Sequence, residues 1–259
     1  MAEWGWSAVV YGVYLAALAC AGRARRLTSA AVLAVAYGLG AAGAATVEGI
    51  VAQVVLPAAF TLGAYWLSGL FVGTPQRGLE RWLLGSDETL FSRLSIDRRL
   101  AVAPRWVLET LEFAYATVYL VVMVGAIAMA SLGREAVLYY WAVVLPAELM
   151  CYAALPFLRS RPPRSLETPG AIARRAPAMR RLNDAIVGHG SIQVNTIPSG
   201  HVAGAVAAGL AVLSWWPAIG GVLLVAAAMI AVAATVGRYH YAVDCVLGAG
   251  VALVVWWIV

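Results

Sequence analysis

The sequence contains no lysine, so its 18 Lys+Arg residues are all arginine and the formal net charge of +5 depends on arginine. Charge of either sign is scarce: 12% of the 259 residues are charged and 63% are hydrophobic. That is about half the charged fraction of a soluble domain, which excludes a soluble globular protein. Cysteine occurs three times (Cys20, Cys151, Cys245), always in or near an apolar run. An odd number without framework spacing excludes a disulfide scaffold, so these read as small packing residues. No basic residue precedes the first apolar run, which argues against a signal peptide and makes that run a first span. No internal repeat is evident. A basic excess often marks a nucleic-acid binder. Here the arginines lie between apolar runs, so anionic lipid headgroups and phosphate-bearing substrates are the expected partners, and not nucleic acid.

What the chain has in quantity is apolar length. Its mean hydropathy is +0.82, and several runs reach the roughly 20 residues that cross a bilayer. The expected fold is an all-α, multi-pass membrane bundle of about eight transmembrane helices. They cover Trp4–Ala21, Ser29–Val47, Ile50–Val72, Trp106–Ser131, Ala136–Leu158, His201–Trp215, Ala218–Val236 and Ala242–Val259. The sixth is short and rich in small residues (Ala203, Gly204, Ala207, Ala208, Gly209), which suits close helix packing.

Two long connections, 75–105 and 159–199, interrupt the spans. In the first, Leu79, Trp82 and Leu83 fall on one helical face and Leu90, Phe91 and Leu94 on another, with Arg77, Arg81 and Arg93 between. That suits helices lying in the membrane interface. A connection as long as the second is usually functional. Alternating spans put every arginine except Arg134 on one side, which the positive-inside rule makes cytoplasmic, with both chain ends facing outward. Arg174, Arg175, Arg180 and Arg181 read as topology signals, and the many Tyr and Trp as belt residues.

The same side collects the residues capable of chemistry. "IPSGH" opens the sixth span: Pro198 and Ser199 suit a helix start, and the free backbone N–H groups there attract anions. Gly200 lets a ligand approach the backbone. "GRYHYAVD" leads into the eighth span, with His240 and Asp244 one helical turn apart. A carboxylate on one imidazole nitrogen fixes the tautomer and leaves the other free to attack. "RSRPPR" closes the fifth span and offers Arg159, Arg161 and Arg164 as donors to a phosphate. The sequence has three histidines; two occupy these motifs, and His189 reads as a loop residue. Glu148, inside the fifth span, is costly unless paired; lining a substrate cavity and making a structural hydrogen bond are both open to it. Glu109 and Glu112, near the start of the fourth span, are placed to pair with interface arginines.

"PSGH" followed by "HYAVD", with "RSRPPR" before them, resembles the type 2 phosphatidic acid phosphatase superfamily. "PPR", the compact "HYAVD" and "LERWLLGSD" look most like its inositol phosphorylceramide synthase-like branch. The resemblance covers roughly residues 50–259. It implies a six-helix phosphatase-like core over 49–259, with two extra N-terminal helices over 1–48. It also implies phosphoryl transfer without metal or other cofactor. His240 would attack phosphorus to form a phosphohistidine, Asp244 would orient it, and His201 would protonate the leaving oxygen. Ser199, Gly200, Arg161, Arg164 and Arg238 would hold the phosphate. Two positions differ from the usual pattern. Ala233 and Ala234 stand where the family carries Ser-Arg, which makes Arg238 the candidate substitute. Ala154 stands where it carries lysine, which leaves open whether Arg161 or Arg164 binds phosphate. The cytoplasmic placement is opposite to that expected of most relatives. The implied function is a lipid-phosphate phosphatase or a phosphotransferase with a small alcohol as acceptor. From other classes, an intramembrane serine protease using Ser199 and a non-catalytic transporter or scaffold remain alternatives.

Overall fold

The computed structural model describes residues 2–24, 27–175, 177–194 and 196–259, without the side chain of residue 27. Arg25 and Arg26, counted above toward the arginine-rich side, lie outside them. Among the described residues the chain is helical, with no strand. Three apolar helices come first: α1 (Glu3–Cys20), α2 (Leu27–Ala44) and α3 (Ile50–Ser68), the last extended by a 3-10 turn, Gly69–Phe71. Two polar helices follow, α4 (Arg77–Leu94) and α5 (Ile96–Val102). Then come α6 (Arg105–Ala116), α7 (Val118–Ser131) and α8 (Arg134–Ala154). The second long connection holds α9 (Ala171–Arg175) and α10 (Ala178–Gly190), and α11 (Gly200–Leu213), α12 (Pro217–Val236) and α13 (Ala242–Ile258) end the chain.

Every apolar run folds as helix, yet length and composition alone support fewer than eight crossings. Three helices or helix-plus-turn units suffice, Ile50–Phe71, Arg134–Ala154 and Pro217–Val236, and α6 with α7 makes a fourth if that bent pair is one span. The physical reason is plainest at α11. Its 14 residues rise about 21 Å, short of a hydrocarbon core about 30 Å thick. Ten of those residues are buried, because α7, α8, α12 and α13 surround the helix. A helix sheathed by protein has no need to match the bilayer. Its small residues permit this packing: a Cβ at Gly209 would stand 2.7 Å from Leu224 Cδ2.

The expected fourth span is broken. α6 and α7 meet at Thr117 with a 55° bend, and the Thr117 hydroxyl donates to the Ala114 carbonyl at 2.7 Å, a local bond that competes with the helical ladder. α1 and α2 pack tightly, since a Cβ at Gly12 would meet Ala34 O at 2.9 Å. α1 also joins α3 and α8, through Trp4 Nε1 donating to Gln53 Oε1 at 3.0 Å and the Tyr14 hydroxyl donating to Ala153 O at 2.6 Å. The belt expectation fails for part of the aromatic set. Trp4, Trp141, Tyr140, Tyr239 and Tyr241 are fully buried, whereas Trp6, Trp66, Trp82, Trp106 and Trp257 are exposed. The three cysteines are free.

Ala2, Ala45, Arg134, Trp215 and Val259 line one cavity and so mark one end of the bundle. Both ends of the described chain are therefore there. At the other end Arg23 stacks on Phe157, 4.8 Å from the ring centroid, beside the 159–164 segment and the starts of α11 and α13. On α4 the buried stripe is Glu80, Leu83, Asp87 and Phe91, while Trp82 and Leu94 are exposed, as expected of a helix in the interface plane.

Candidate active site

The turn before α11 and the start of α13 are joined backbone to backbone. Ser199 N–H donates to Asp244 O at 3.0 Å. Gly248, one turn further along α13, comes so close that a Cβ there would lie 2.4 Å from Ser199 O. Ser199 is fully buried and caps α11, its Oγ accepting from Val202 N at 3.3 Å, as short polar residues do at helix N-termini. Gly200 lets α11 pass against α8: a Cβ would sit 2.7 Å from the Tyr152 ring. Both residues therefore have packing or capping duties, and Gly200 also lines the cavity described below.

This junction brings the two histidines together. Their ring centroids are 5.7 Å apart with planes at 80°, well inside the reach that transfer across one phosphorus atom requires. His201 is held by Tyr115 and Tyr119, at 5.8 and 5.7 Å centroid to centroid. One tyrosine comes from each side of the Thr117 bend, so the break in the expected span lets α6 and α7 both touch the same imidazole.

His240 is buried. Its Nδ1 lies 2.9 Å from the Thr196 carbonyl. A carbonyl only accepts, so Nδ1 carries the proton and Nε2 presents a lone pair. Asp244 Oδ2 is further from Nδ1, at 3.5 Å, because it accepts from Tyr241 N at 3.0 Å at the start of α13. Asp244 Oδ1 is buried with no hydrogen-bond partner among the described residues. The backbone oxygen of Thr196 thus sets the tautomer that the sequence assigned to Asp244, and Asp244 adds negative charge nearby. Thr196 is itself fixed by a hydroxyl–hydroxyl contact with Ser160.

The arginines separate into committed and uncommitted ones. Arg161 forms a forked pair with Glu80, Nε–Oε1 2.8 Å and Nη2–Oε2 2.9 Å, and its backbone N–H donates to the same carboxylate. Arg238, in a left-handed conformation at φ +62°, bonds Asp87 at 2.6 Å and Glu167 at 2.5 Å. Asp87 Oδ1 also accepts from Ala242 N at 2.9 Å, which clamps the 237–242 turn. Arg180 is buried and bonds Glu112 at 3.2 Å, Gly237 O at 2.7 Å and Asp184. It is an internal tie and not a topology signal only. Its partner Glu112 also accepts from the Tyr239 hydroxyl at 2.6 Å and from Asn183.

Arg164 differs. Its backbone N–H donates to Arg238 O at 3.1 Å, and its guanidinium lies over Tyr239, 5.2 Å from the centroid. Tyr239 is stacked on Tyr115 at 3.8 Å. No acid pairs with Arg164 among the described residues, and it lines a cavity with both histidines. Burial pulls its guanidinium below the ordinary value, partly offset by Tyr115 and Tyr239; arginine stays charged there.

Two chambers meet at the histidine pair. The polar one holds Arg164, Tyr239 and Asn183 and lies under α10. The other runs between α3, α7, α8 and α11, past Leu62, Val118, Val122 and Trp141 to Glu148. Sequence reading brought His201, His240, Asp244, Ser199, Gly200 and Arg164 to this junction. It did not foresee that Arg161 and Arg238 are taken up by acids, nor the parts played by Thr196, Glu80 and Asp87; the expected pairing of Glu109 and Glu112 with arginines is met by Arg105 and Arg180. For the α4 acids a signal was available, since Glu80 and Asp87 fall two turns apart on one helical face of "LERWLLGSD". His189 is exposed on α10, its Nδ1 2.8 Å from Ala185 O.

A family model described as the PAP2 superfamily matches residues 80–258, more than half of the chain. No curated protein and no solved structure matches it. The matched range starts at Glu80, so α3, which walls the apolar chamber, lies outside it.

The clamp at Arg161 is open to a pH test. Its guanidinium holds the Glu80 carboxyl below the usual carboxylate value. The folded carboxyl therefore titrates below the unfolded one. The stabilisation is complete above the unfolded value, about 4.3, and disappears as pH falls through the folded value. A charge-assisted bond is worth up to a few kcal/mol, and with Arg161 partly exposed about 1 kcal/mol is expected. Thermal unfolding in detergent should show Glu80→Gln melting below wild type at pH 7, with the gap closing below about pH 4.3. A gap that stays constant with pH would contradict the assignment.

Proposed function

Since the chain belongs to the PAP2 superfamily, a group of phosphatase- and phosphotransferase-type enzymes, we propose that it is an integral membrane lipid-phosphate phosphatase working through a phosphohistidine on His240. The observation that carries this reading is the meeting of an arginine-bearing polar chamber and an apolar chamber at one histidine pair. An amphiphile with a phosphate at its polar end fits both at once.

In the first step the His240 Nε2 lone pair attacks phosphorus and the bond from phosphorus to the lipid oxygen breaks. His201, as imidazolium, gives its proton to that oxygen. In the second step neutral His201 takes a proton from water, the water oxygen attacks phosphorus, the P–N bond breaks and phosphate leaves. The imidazolium that forms on His240 is stabilised by the Thr196 carbonyl and by Asp244. Charge on the equatorial oxygens is met by Arg164 and by the first backbone N–H groups of α11, donors already in place before the reaction. Arg161 and Arg238 act one step back, holding the 159–164 and 237–242 segments. An alcohol in place of water in the second step would make the same site a phosphotransferase, as in the inositol phosphorylceramide synthase-like branch.

The test is turnover by the purified protein of a panel of lipid phosphates, with and without inositol. Wild type is expected to release phosphate. His240→Ala should lose at least about a thousandfold, and Arg164→Ala should lower kcat/KM about a hundredfold, the size of loss seen when one transition-state donor is removed. Inositol phosphate, a new phosphomonoester, in place of free phosphate would shift the assignment to transfer. Turnover unaffected by His240→Ala would overturn the reading.

The arginine distribution supports a cytoplasmic site, with anionic lipid headgroups bordering the polar chamber. A single cysteine at exposed position 189 in a cysteine-free background should resist a membrane-impermeant thiol reagent in intact cells and react after permeabilisation. Labelling in intact cells would place the site outside.

A further inference from the structure

Glu148 is an anomaly that the phosphoryl chemistry does not use. It sits on α8 with 7% of its surface exposed, and its Oε2 is buried with no hydrogen-bond partner among the described residues. No ion pair reaches it among the described residues either. A buried acid with an oxygen left unpaired costs several kcal/mol. The fold nevertheless makes room for it: a Cβ at Gly204 would stand 2.2 Å from Glu148 Oε1. The carboxyl also lines the apolar chamber that begins at His201 and His240.

Its depth can be read from the α8–α11 contact. Tyr152 faces Gly200 and Glu148 faces Gly204. One turn of both helices therefore separates Glu148 from the level of His201, about 5.4 Å further into the bilayer. Thr61, Tyr65 and Tyr119 line the same chamber; Thr61 lies within hydrogen-bonding reach of the carboxyl, but its one proton goes to Pro57 O at 2.9 Å, so it offers Glu148 only an acceptor.

We propose that Glu148 is a specificity-determining residue that hydrogen-bonds the linker joining the phosphate to the lipid chains, and so selects acyl-linked lipid phosphates over polyprenyl phosphates. This rests on the reading of the histidine pair as the phosphoryl-transfer site. In a glycerolipid phosphate the first ester begins two carbons beyond the phosphate oxygen, a reach comparable to one helical turn. With phosphorus between the histidines, that ester falls at the level of Glu148. A carboxylic acid donates one hydrogen bond and accepts others, so it satisfies an ester or amide carbonyl or a hydroxyl. A polyprenyl phosphate carries only hydrocarbon at that depth. It leaves Glu148 Oε2 unpaired, and such a mismatch is a strong source of discrimination.

The experiment compares wild type, Glu148→Gln, Glu148→Leu and His240→Ala on a diacylglycerol phosphate, its dialkyl-ether analogue and a polyprenyl phosphate in detergent micelles. Wild type should prefer the diacyl substrate. Glu148→Leu should lower kcat/KM for it at least about tenfold, one hydrogen bond's worth, and leave the polyprenyl phosphate within about twofold. Glu148→Gln, which still donates and accepts, should retain most of the preference. Thermal unfolding of Glu148→Leu should match or exceed wild type, because an unpaired buried polar group has been removed. Equal loss on all three substrates, or no loss on any, would overturn the proposal. If no substrate shows turnover that depends on His240, the phosphatase reading itself fails; if turnover depends on His240 but is indifferent to Glu148, only this inference does.

Discussion

The bond from Ser199 N–H to Asp244 O, with the bare Gly248 pressed against Ser199 O, fixes where α11 starts relative to α13. The rest of the site depends on that junction. His201 is two residues beyond Ser199 and His240 four before Asp244, so a shift of either helix would carry one imidazole away from the other. Backbone-to-backbone contacts suit this task, since they lack the rotamer freedom of side-chain ties. The surrounding core is dense with alanine and glycine for the same reason: close helix approach in lipid requires small residues.

Around that junction, carboxylates decide which arginines are available. Glu80 and Asp87 of α4 engage Arg161 and Arg238, Glu167 adds to the second pair, and Glu112 engages Arg180. Each pair ties a connecting segment to a helix and neutralises a guanidinium that would otherwise compete for phosphate. Arg164 keeps its charge uncommitted at the mouth of the site. Glu112 reaches further still: through Tyr239 and the Tyr239–Tyr115 stack it links α6, α10 and the 237–241 turn. The positive field near the histidines therefore results from selective neutralisation, and a count of arginines does not describe it.

This explains how much was legible in the sequence. The helices were, because apolar length and periodicity announce them. So were His201, His240 and Asp244, because each lies at the mouth of an apolar run where a polar residue needs a reason. The break at Thr117 was not, since a threonine in a long apolar run gives no local sign that its hydroxyl will take a backbone carbonyl. Thr196 was invisible for a different reason: it acts through a main-chain oxygen, which every residue has. The duties of Arg161 and Arg238 could not be told from that of Arg164, because the acids that distinguish them come from α4 and from Glu167, brought near only by folding. How completely its neighbours enclose the short α11 was not legible either, because hydropathy treats a helix sheathed by protein like one facing lipid.

The most direct test of the central claim is chemical trapping of the enzyme–phosphate bond. With a phosphate ester whose leaving group needs no proton, His201→Asn should still form the intermediate, yet resolve it slowly for want of a base to activate water. Acid-labile, base-stable phosphate should then accumulate and map to residue 240 by mass spectrometry, and it should be absent from the His201→Asn/His240→Ala double variant. No trapped phosphate, or phosphate on Ser199 that survives acid, would contradict the account.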